Sequence, residues 1–554
     1  MTFVPGRQLW AAIAIALPAI PTLVLFVAAA GVIAETGPAT GVGDLMVRAL
    51  GPIVRSGVAA LLTGALVAFA SGLFASLLVA PWIASERQTV AAACLFLAAA
   101  VTPALLGASS FAFVWRAPYA QALMAIPYFS DRGPLTAVLI DTCAQVVRYT
   151  PLGTWLLVAI TLEGDAAMRR YAQSAGLCAS FFVRAELLRR WTPPLLVVAA
   201  FAFQDAFNDY VITYLALRPS EATSTELVGH FLSRIFVGQA IARSAKDASA
   251  ALVQVALLSG AASAILFGML STAMIGAVRI LRPRAHQSGT TSRSSARHGR
   301  SLASSQLPWI PVIMAAGIVA AVVQVLALAE MAALRSVIVL APALGLSLGV
   351  AVLSWAMAIL VDFAIRERAT TRDGTAQRRM AVTAFVCICL GFIPPLGLAA
   401  ALYTVLFGFV DVAHTDPAMG WFVAQTLRMF PIVVVLLVPA ALAIEDETVW
   451  YLQVSGVRFV ARVRMAFLRP FGVTHLALIM ISWNFVMNEA VVSTIFQADI
   501  PAFAELIQRA SSGRSAAYPL VGLLVTAEAI LFGSLCVLWG LQSFRAWGKQ
   551  HGPN

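Results

Sequence analysis

Continuous apolar runs of 20 or more residues recur along the whole chain and are separated by short polar segments. A bilayer core needs roughly 20 helical residues to cross it, whereas the strands of a membrane barrel alternate over roughly 10 residues, so these runs predict transmembrane helices. The runs lie near 9–33, 57–83, 90–115, 135–161, 194–217 and 251–279, and then near 308–329, 336–363, 381–409, 420–444, 474–497 and 517–542. The pattern predicts an all-α polytopic membrane protein with twelve transmembrane helices in two sets of six.

The two sets are separated by a polar segment, residues 282–306, which consists largely of Arg, Ser, His, Gly and Thr. Such a composition cannot bury a core, so the segment is predicted to be a flexible linker. The predicted organisation is a first six-helix half at 1–281, a cytoplasmic linker at 282–306 and a second six-helix half at 307–554.

Composition agrees with this pattern, because 60% of the residues are hydrophobic and only 11% are charged. Soluble proteins carry about a quarter charged residues, which excludes a soluble enzyme or a disordered scaffold. Most of the 37 Lys and Arg residues fall in loops that are cytoplasmic if both termini are inside. Positive loops are retained on that side, so topology explains the net charge of +11. We therefore expect contact with membrane lipid and no nucleic-acid partner.

An internal repeat relates the halves through a constant offset of 280 positions. It maps Gln145, Arg148 and Pro151 onto Gln425, Arg428 and Pro431; Tyr171, Gln173 and Gly176 onto Tyr451, Gln453 and Gly456; and Asn208 and Asp209 onto Asn488 and Glu489. Six helices return the chain to the same side of the membrane, so the repeats are predicted to be parallel.

Ionisable residues within the predicted helices occur at repeated positions. Arg148 and Arg428 lie on the fourth helix of each half, and Asp209 and Glu489 lie on the fifth. A charge in a membrane helix needs a partner or a polar cavity, so the sequence predicts the ion pairs Arg148–Asp209 and Arg428–Glu489.

Amide side chains form a repeated stripe on the fifth helices, where Gln204 and Asn208 are mirrored by Asn484 and Asn488. Asp205 and Asp209 share a second face in the first half, whereas the second half has Phe485 and Glu489. Facing stripes would line a translocation path, and the alternative is hydrogen bonding between helices. The candidate path residues are Gln145, Arg148, Gln204, Asp205, Asn208, Asp209, Gln425, Arg428, Asn484, Asn488 and Glu489, and their acidic members favour a cationic cargo.

A cytoplasmic loop of roughly 30 residues joins the fourth and fifth helices of each half, longer than an ordinary helix connection. In each loop a glycine, Gly176 or Gly456, separates two short amphipathic stretches, which predicts two interfacial helices with an exposed turn between them. Each glycine is followed at the same spacing by a leucine, Leu188 or Leu468. We favour a docking role over lipid contact, because lipid binding would not require the same glycine register twice.

These loops resemble the coupling segments in the permease subunits of binding-protein-dependent ABC importers, specifically the fused permeases with two halves in one chain. The family pattern of Glu-Ala-Ala, three residues and Gly falls on Arg170, Tyr171 and Ala172 in the first loop and on Trp450, Tyr451 and Leu452 in the second, so the acidic residue is absent from both. The resemblance implies a type I importer fold in a bacterial inner membrane. It also implies that Tyr171, Gln173, Gly176, Leu188, Tyr451, Gln453, Gly456 and Leu468 contact a cytoplasmic ATPase, usually a homodimer.

The resemblance further implies a periplasmic or lipid-anchored substrate-binding protein as a partner, and iron(III), thiamine or a polyamine as the cargo class. The exoplasmic loops 218–250 and 498–517 would receive that protein, or would cap the bundle as re-entrant or interfacial helices.

The chain itself has no motif for chemistry. A P-loop requires Gly-Lys followed by Ser or Thr, and neither Lys246 nor Lys549 has that context. The six histidines have no metal-ligand spacing, and no nucleophile and base pair is evident. We therefore expect no enzyme, no cofactor and no metal site. Two rival interpretations remain: a twelve-helix secondary transporter of the major facilitator layout, and a membrane scaffold without transport activity.

Overall fold

The computed structural model describes residues 17, 20–36, 42–82, 134–164, 188–208, 227–229, 231, 334–369, 395–403, 405–406, 417–442, 451–452, 454–468, 472–487, 489 and 491–496. Within these ranges the chain is helical, with turns and no strand. The described helices are α1 (Ile20–Thr36), α2 (Val42–Trp82), α3 (Pro134–Gly164), α4 (Leu188–Asn208), α5 (Leu334–Ala369), α6 (Pro395–Tyr403), α7 (Pro417–Leu442), α8 (Phe459–Val463), α9 (Gly472–Met487) and α10 (Val491–Phe496).

Local sequence explains where several helices begin. Pro134, Pro395 and Pro417 each occupy the first position of a helix. Proline is favoured there because its fixed φ is already helical and its missing N–H would have had no partner in the first turn.

Two of the described helices contain segments that are long and apolar enough to cross a membrane, Val47–Leu77 and Ala343–Phe363. The second segment has 21 residues and is therefore about 32 Å long, close to the thickness of a bilayer core. Shorter apolar helices run over Pro194–Phe207 and His475–Met487. The described part is thus all helical with two candidate membrane spans, and the full set of twelve helices stays a prediction.

The helices pack in two groups of three. Helices α2, α3 and α4 contact one another, and so do α5, α7 and α9. Each group contains the predicted second, fourth and fifth helices of one half. The groups meet where α3 and α4 contact α7, while α1 packs on α6 and α7 of the second half. These contacts place the fourth and fifth helices of the first half beside the fourth helix of the second.

Small residues let the helices of the first group approach closely. A Cβ at Gly64 would lie 3.0 Å from the backbone oxygen of Ala199, and a Cβ at Gly153 would overlap Ser71. Close backbone approach through small residues is typical of helix packing in membranes, where van der Waals contact replaces the hydrophobic effect.

Hydrogen bonds between helices supplement this packing. In the first half Ser71 Oγ donates to the carbonyl of Thr150 at 3.3 Å, and in the second Ser354 Oγ donates to the carbonyl of Thr426 at 3.5 Å. The indole of Trp483 donates to Ser347 Oγ at 2.9 Å. These bonds join α2 to α3, α5 to α7 and α9 to α5. Some buried polar side chains therefore hold the helices together.

Two predicted boundaries are wrong. Helix α2 begins at Val42 rather than near residue 57. The polar residues before the apolar run are also helical, and hydropathy alone does not detect them. The predicted helix at 474–497 is divided, since α9 ends at Met487 and α10 begins at Val491. Between them the amide of Glu489 donates to the carbonyl of Val486 at 3.2 Å, a tighter turn than the α-helical one.

Candidate functional site

The second half contains the ion pair that the repeat predicted. Arg428 Nη1 on α7 lies 2.9 Å from Glu489 Oε2, with 11% and 6% of the two side chains exposed. The same Nη1 lies 3.3 Å from the amide oxygen of Gln425, one turn earlier on α7. Glu489 does not lie within a helix as predicted but in the break between α9 and α10. The Arg428–Glu489 pair is thus confirmed, but Glu489 lies between two helices and not within one.

In the first half, the partner of Arg148 among the described residues is Asp205. Arg148 Nη1 lies 2.6 Å from Asp205 Oδ2, joining α3 to α4. Asp205 is four positions before Asp209, which lies outside the described residues. The Arg148–Asp209 pair therefore stays a prediction, while Asp205 is an observed partner of Arg148.

Aromatic rings surround the guanidinium of Arg148. Its central carbon lies 5.0 Å from the ring centroid of Tyr149 and 4.9 Å from that of Phe485, which belongs to α9 of the second half. The hydroxyl of Tyr149 donates to Asp205 Oδ2 at 2.5 Å, so one carboxylate oxygen accepts from both residues. We call Asp205, Tyr149 and Phe485 the cation cage. Rings over a guanidinium stabilise it through the negative face of the π system.

A fourth aromatic residue fixes the rings of the cage. Phe201 packs edge-on against Tyr149, with centroids 5.2 Å apart, and edge-on against Phe485 at 5.4 Å. Tyr149 and Phe485 are stacked at 6.2 Å. Tyr149 and Phe201 are buried, so these rings are held by packing on several sides.

The predicted amide residues are buried rather than exposed to an open channel in this conformation. Gln145, Gln204, Gln425 and Asn484 all lie in the interior, and Gln145 and Gln425 have no exposed surface. Both amide atoms of Gln145 lack a hydrogen-bond partner among the described residues, as does Nε2 of Gln425. Burying an unsatisfied amide costs about 1–3 kcal/mol, which marks these positions as unusual for residues that only hold helices together.

Several buried polar residues were missed by sequence reasoning. Asp141 on α3 and Asp362 on α5 are buried carboxylates, and each was signalled by a lone acid in an apolar run. The cage rings were not predicted. Phe485 was considered only because it replaces the acid that the first half has at the equivalent position, Asp205. The signal was available: Tyr149 adjoins Arg148, and Phe485 occupies the repeat position of Asp205.

The second predicted coupling loop has the shape that its glycine predicts. Residues near Tyr451 form a helical turn, closed by a hydrogen bond from the amide of Ser455 to the carbonyl of Tyr451 at 2.9 Å. Gly456 follows with φ of +70°, a conformation that L side chains adopt only with strain. The chain then forms α8 and continues into a π-helical turn, Arg464–Leu468. The predicted helix break at Gly456 is confirmed.

This loop has an anchored side and an exposed side. Phe459 packs edge-on against Phe363 of α5 with centroids 5.2 Å apart, and Val463 and Ala466 are buried. Leu468 is partly buried against the core. On the other side four apolar side chains are largely exposed, namely Tyr451 at 68%, Val454 at 65%, Val460 at 76% and Met465 at 49%. We call these four residues the exposed coupling surface; Arg458 and Arg464 beside it are also exposed.

The other predicted site residues lie outside the described part. These are Tyr171, Gln173, Gly176, Gln453, Asp209 and Asn488. Leu188 and Asn208 are the first and last residues of α4, but their side chains are not described.

A short piece of the first predicted exoplasmic loop packs into the helix body. Leu227, Val228 and Phe231 are buried, and the amide of Val228 donates to Ser56 Oγ on α2 at 2.9 Å. This packing favours the capping interpretation for these residues over a surface that receives a binding protein.

Within the described ranges, no group of three or more His, Cys, Asp or Glu side chains is arranged to hold a metal ion. Comparison with known proteins gives no match to this chain, whether among protein-family models, curated proteins or solved structures.

Proposed function

We propose that this chain is the membrane permease subunit of an ATP-driven importer of the binding-protein-dependent ABC type. It has two parallel six-helix halves, lies in a bacterial inner membrane with both termini in the cytoplasm, and forms the path for a cationic cargo of the iron(III), thiamine or polyamine class. A separate ATPase homodimer binds the two cytoplasmic loops, and a periplasmic or lipid-anchored binding protein delivers the cargo.

The exposed coupling surface is the observation that carries this proposal. Apolar side chains with about half or more of their surface exposed are unfavourable in water, and a group of them on a well-anchored turn is typical of a protein contact. Phe459 and the buried Val463 and Ala466 fix the opposite side of the loop to the helix body. A force applied to the surface is therefore transmitted to α5 and α9, which is what coupling to a motor requires.

The intramembrane charges support the same proposal. Arg148–Asp205 and Arg428–Glu489 involve repeated positions of the fourth helices, and Arg148 contacts a ring of the second half. Polar groups at the junction of two halves are where alternating access places a cargo path.

The test is co-purification of an ATPase with the tagged full chain from native membranes. Val460→Arg places a charge at the most exposed residue of the exposed coupling surface and should abolish retention of a nucleotide-hydrolysing protein. Met419→Arg is the matched control, because Met419 is 57% exposed at the first turn of α7, the far end of the helix that leads into the loop.

Equal retention by wild type, Val460→Arg and Met419→Arg would refute the coupling role. Uptake of cargo without any ATPase would favour the secondary transporter instead.

A further inference from the structure

The guanidinium of Arg148 fills a site that has the features of a receptor for organic cations. The described residues place around it the carboxylate oxygen Asp205 Oδ2 at 2.6 Å and the aromatic faces of Tyr149 at 5.0 Å and Phe485 at 4.9 Å. The carboxylate is oriented by the hydroxyl of Tyr149, and the rings are held by Phe201. An acid combined with aromatic faces is the arrangement by which proteins bind ammonium and guanidinium groups.

Among the described residues the cage surrounds Arg148 and has no counterpart around Arg428, although the arginine is repeated. The offset of 280 positions places Met429 at the position of Tyr149, Ile481 at that of Phe201 and Phe485 at that of Asp205. In the described part of the chain, Arg428 lies over no ring and binds only Glu489 and Gln425. In the second half a carboxylate and an amide oxygen suffice for the ion pair of Arg428. The rings around Arg148 are therefore not needed for an ion pair and indicate a second role.

The cage lies where the two halves meet. Asp205 and Phe485 are equivalent positions of the repeat, and Arg148 contacts both. A ligand in the cage would therefore touch α4 of the first half and α9 of the second together. Movement of one half relative to the other would open or close the site.

The arginine also has a second acceptor to which it can move. Gln145 lies one turn before Arg148 on α3, is fully buried, and has no partner for its amide oxygen among the described residues. In the second half the equivalent residue, Gln425, accepts a hydrogen bond from Arg428. Asp205 keeps 26% of its side chain exposed, compared with 6% for Glu489, so its carboxylate remains accessible to an incoming cation.

We propose that Asp205, Tyr149 and Phe485 form a binding site for an organic cation bearing a guanidinium or ammonium group, and that Arg148 occupies this site as an internal surrogate when no ligand is bound. Ligand entry displaces the arginine toward Gln145. That the ligand is the transported cargo rests on the proposed function, whereas the existence of the site does not.

The test uses purified full-length protein in detergent, with thermal unfolding as the readout. Arg148→Ala empties the cage and leaves Asp205, Tyr149 and Phe485 in place. Methylguanidinium chloride should raise the Tm of this variant at concentrations where equal NaCl or urea does not. Tetramethylammonium, which cannot donate a hydrogen bond, should also raise it, because the rings contribute to binding.

Two matched variants distinguish binding in the cage from simple attraction of a cation to an unpaired carboxylate. Arg428→Ala removes the guanidinium beside Glu489, where the described residues supply no ring over the vacated position, and should bind tetramethylammonium roughly tenfold more weakly than Arg148→Ala. Arg148→Ala/Asp205→Asn keeps the rings without the charge and should lose the response to methylguanidinium.

The proposal is overturned if Arg148→Ala responds to neither cation beyond the NaCl control, or responds no more than Arg428→Ala. Should Arg148→Ala not fold, Arg148→Gln is measured in the same titration, and the same two results support or overturn the site. Because no ATPase or transport enters this assay, its result is independent of whether the chain couples to a motor.

Discussion

Arg428 and Glu489 are 61 positions apart in the chain, yet their side chains meet at 2.9 Å with almost no exposed surface. The acid lies in the break between α9 and α10, and the base lies in the interior of α7. The pair therefore ties the end of the fifth helix to the fourth in the second half.

Exchanging the charges of this pair should restore what single substitutions remove. Arg428→Glu and Glu489→Arg each leave two like charges in a buried site, and we expect losses of about 3–5 kcal/mol in the free energy of unfolding. The double variant Arg428→Glu/Glu489→Arg should recover at least half of that loss. Thermal unfolding in detergent measures it, and a double variant no more stable than either single variant would contradict the pairing.

Close packing of α2 on α3 makes Gly153 sensitive to a single methyl group. Gly153→Ala places its Cβ 2.9 Å from the Cβ of Ser71, so we expect a loss of about 1–3 kcal/mol in stability. Gly345 on α5 is the control, because a Cβ there has nothing within 4 Å. Gly345→Ala should be neutral or stabilising by up to about 1 kcal/mol through helix propensity.

Removing the opposing side chain provides a further check on that contact. The combination Gly153→Ala/Ser71→Gly should be more stable than Gly153→Ala with Ser71 retained, as judged by Tm. If Gly153→Ala and Gly345→Ala behave alike, α2 and α3 do not approach as described.

The turn at Gly456 should matter for ATPase binding and not for the helix body. Gly456→Val forces a β-branched residue to φ of +70° and should distort the exposed coupling surface, with roughly a tenfold loss of ATPase retention. Gly472→Val is the matched control, since Gly472 opens α9, has open space around its Cβ position and has no positive φ. Equal ATPase retention by the two variants would show that the turn is not part of the contact.

Side-specific labelling of single cysteines tests the topology. Cysteines at Val460 and Met419 would both be exposed, but the proposed topology places them on opposite sides of the membrane. A membrane-impermeant maleimide should label Met419→Cys in intact cells and Val460→Cys only after the membrane is opened. Labelling of both from outside would exclude the assigned orientation.

Sequence reasoning was most successful where one physical signal dominates. The cores of α2, α3, α5 and α7 follow from apolar runs, and the turn at Gly456 follows from a glycine between two amphipathic stretches. The Arg428–Glu489 pair follows because buried opposite charges on neighbouring helices need each other.

Features that depend on the axial register of neighbouring helices could not be predicted from the sequence. Asp205 and Asp209 are four positions apart and would share one helix face about 6 Å apart along the axis, so the face alone does not decide which acid lies closer to Arg148. The cage required a contact between Arg148 and Phe485, which lie in different halves, and no periodicity within either half encodes it. The start of α2 at Val42 was missed because hydropathy reports burial in lipid and not the extent of a helix.

The most direct test of the proposed function is cargo uptake into proteoliposomes that contain the full chain with its co-purified ATPase and binding protein. Labelled thiamine, spermidine and iron(III) are offered in turn, with ionophores present to collapse every ion gradient. We predict uptake of one of these cations that requires ATP hydrolysis, survives the ionophores and is lost in Val460→Arg. Uptake that runs on an ion gradient with no nucleotide present would contradict the importer function.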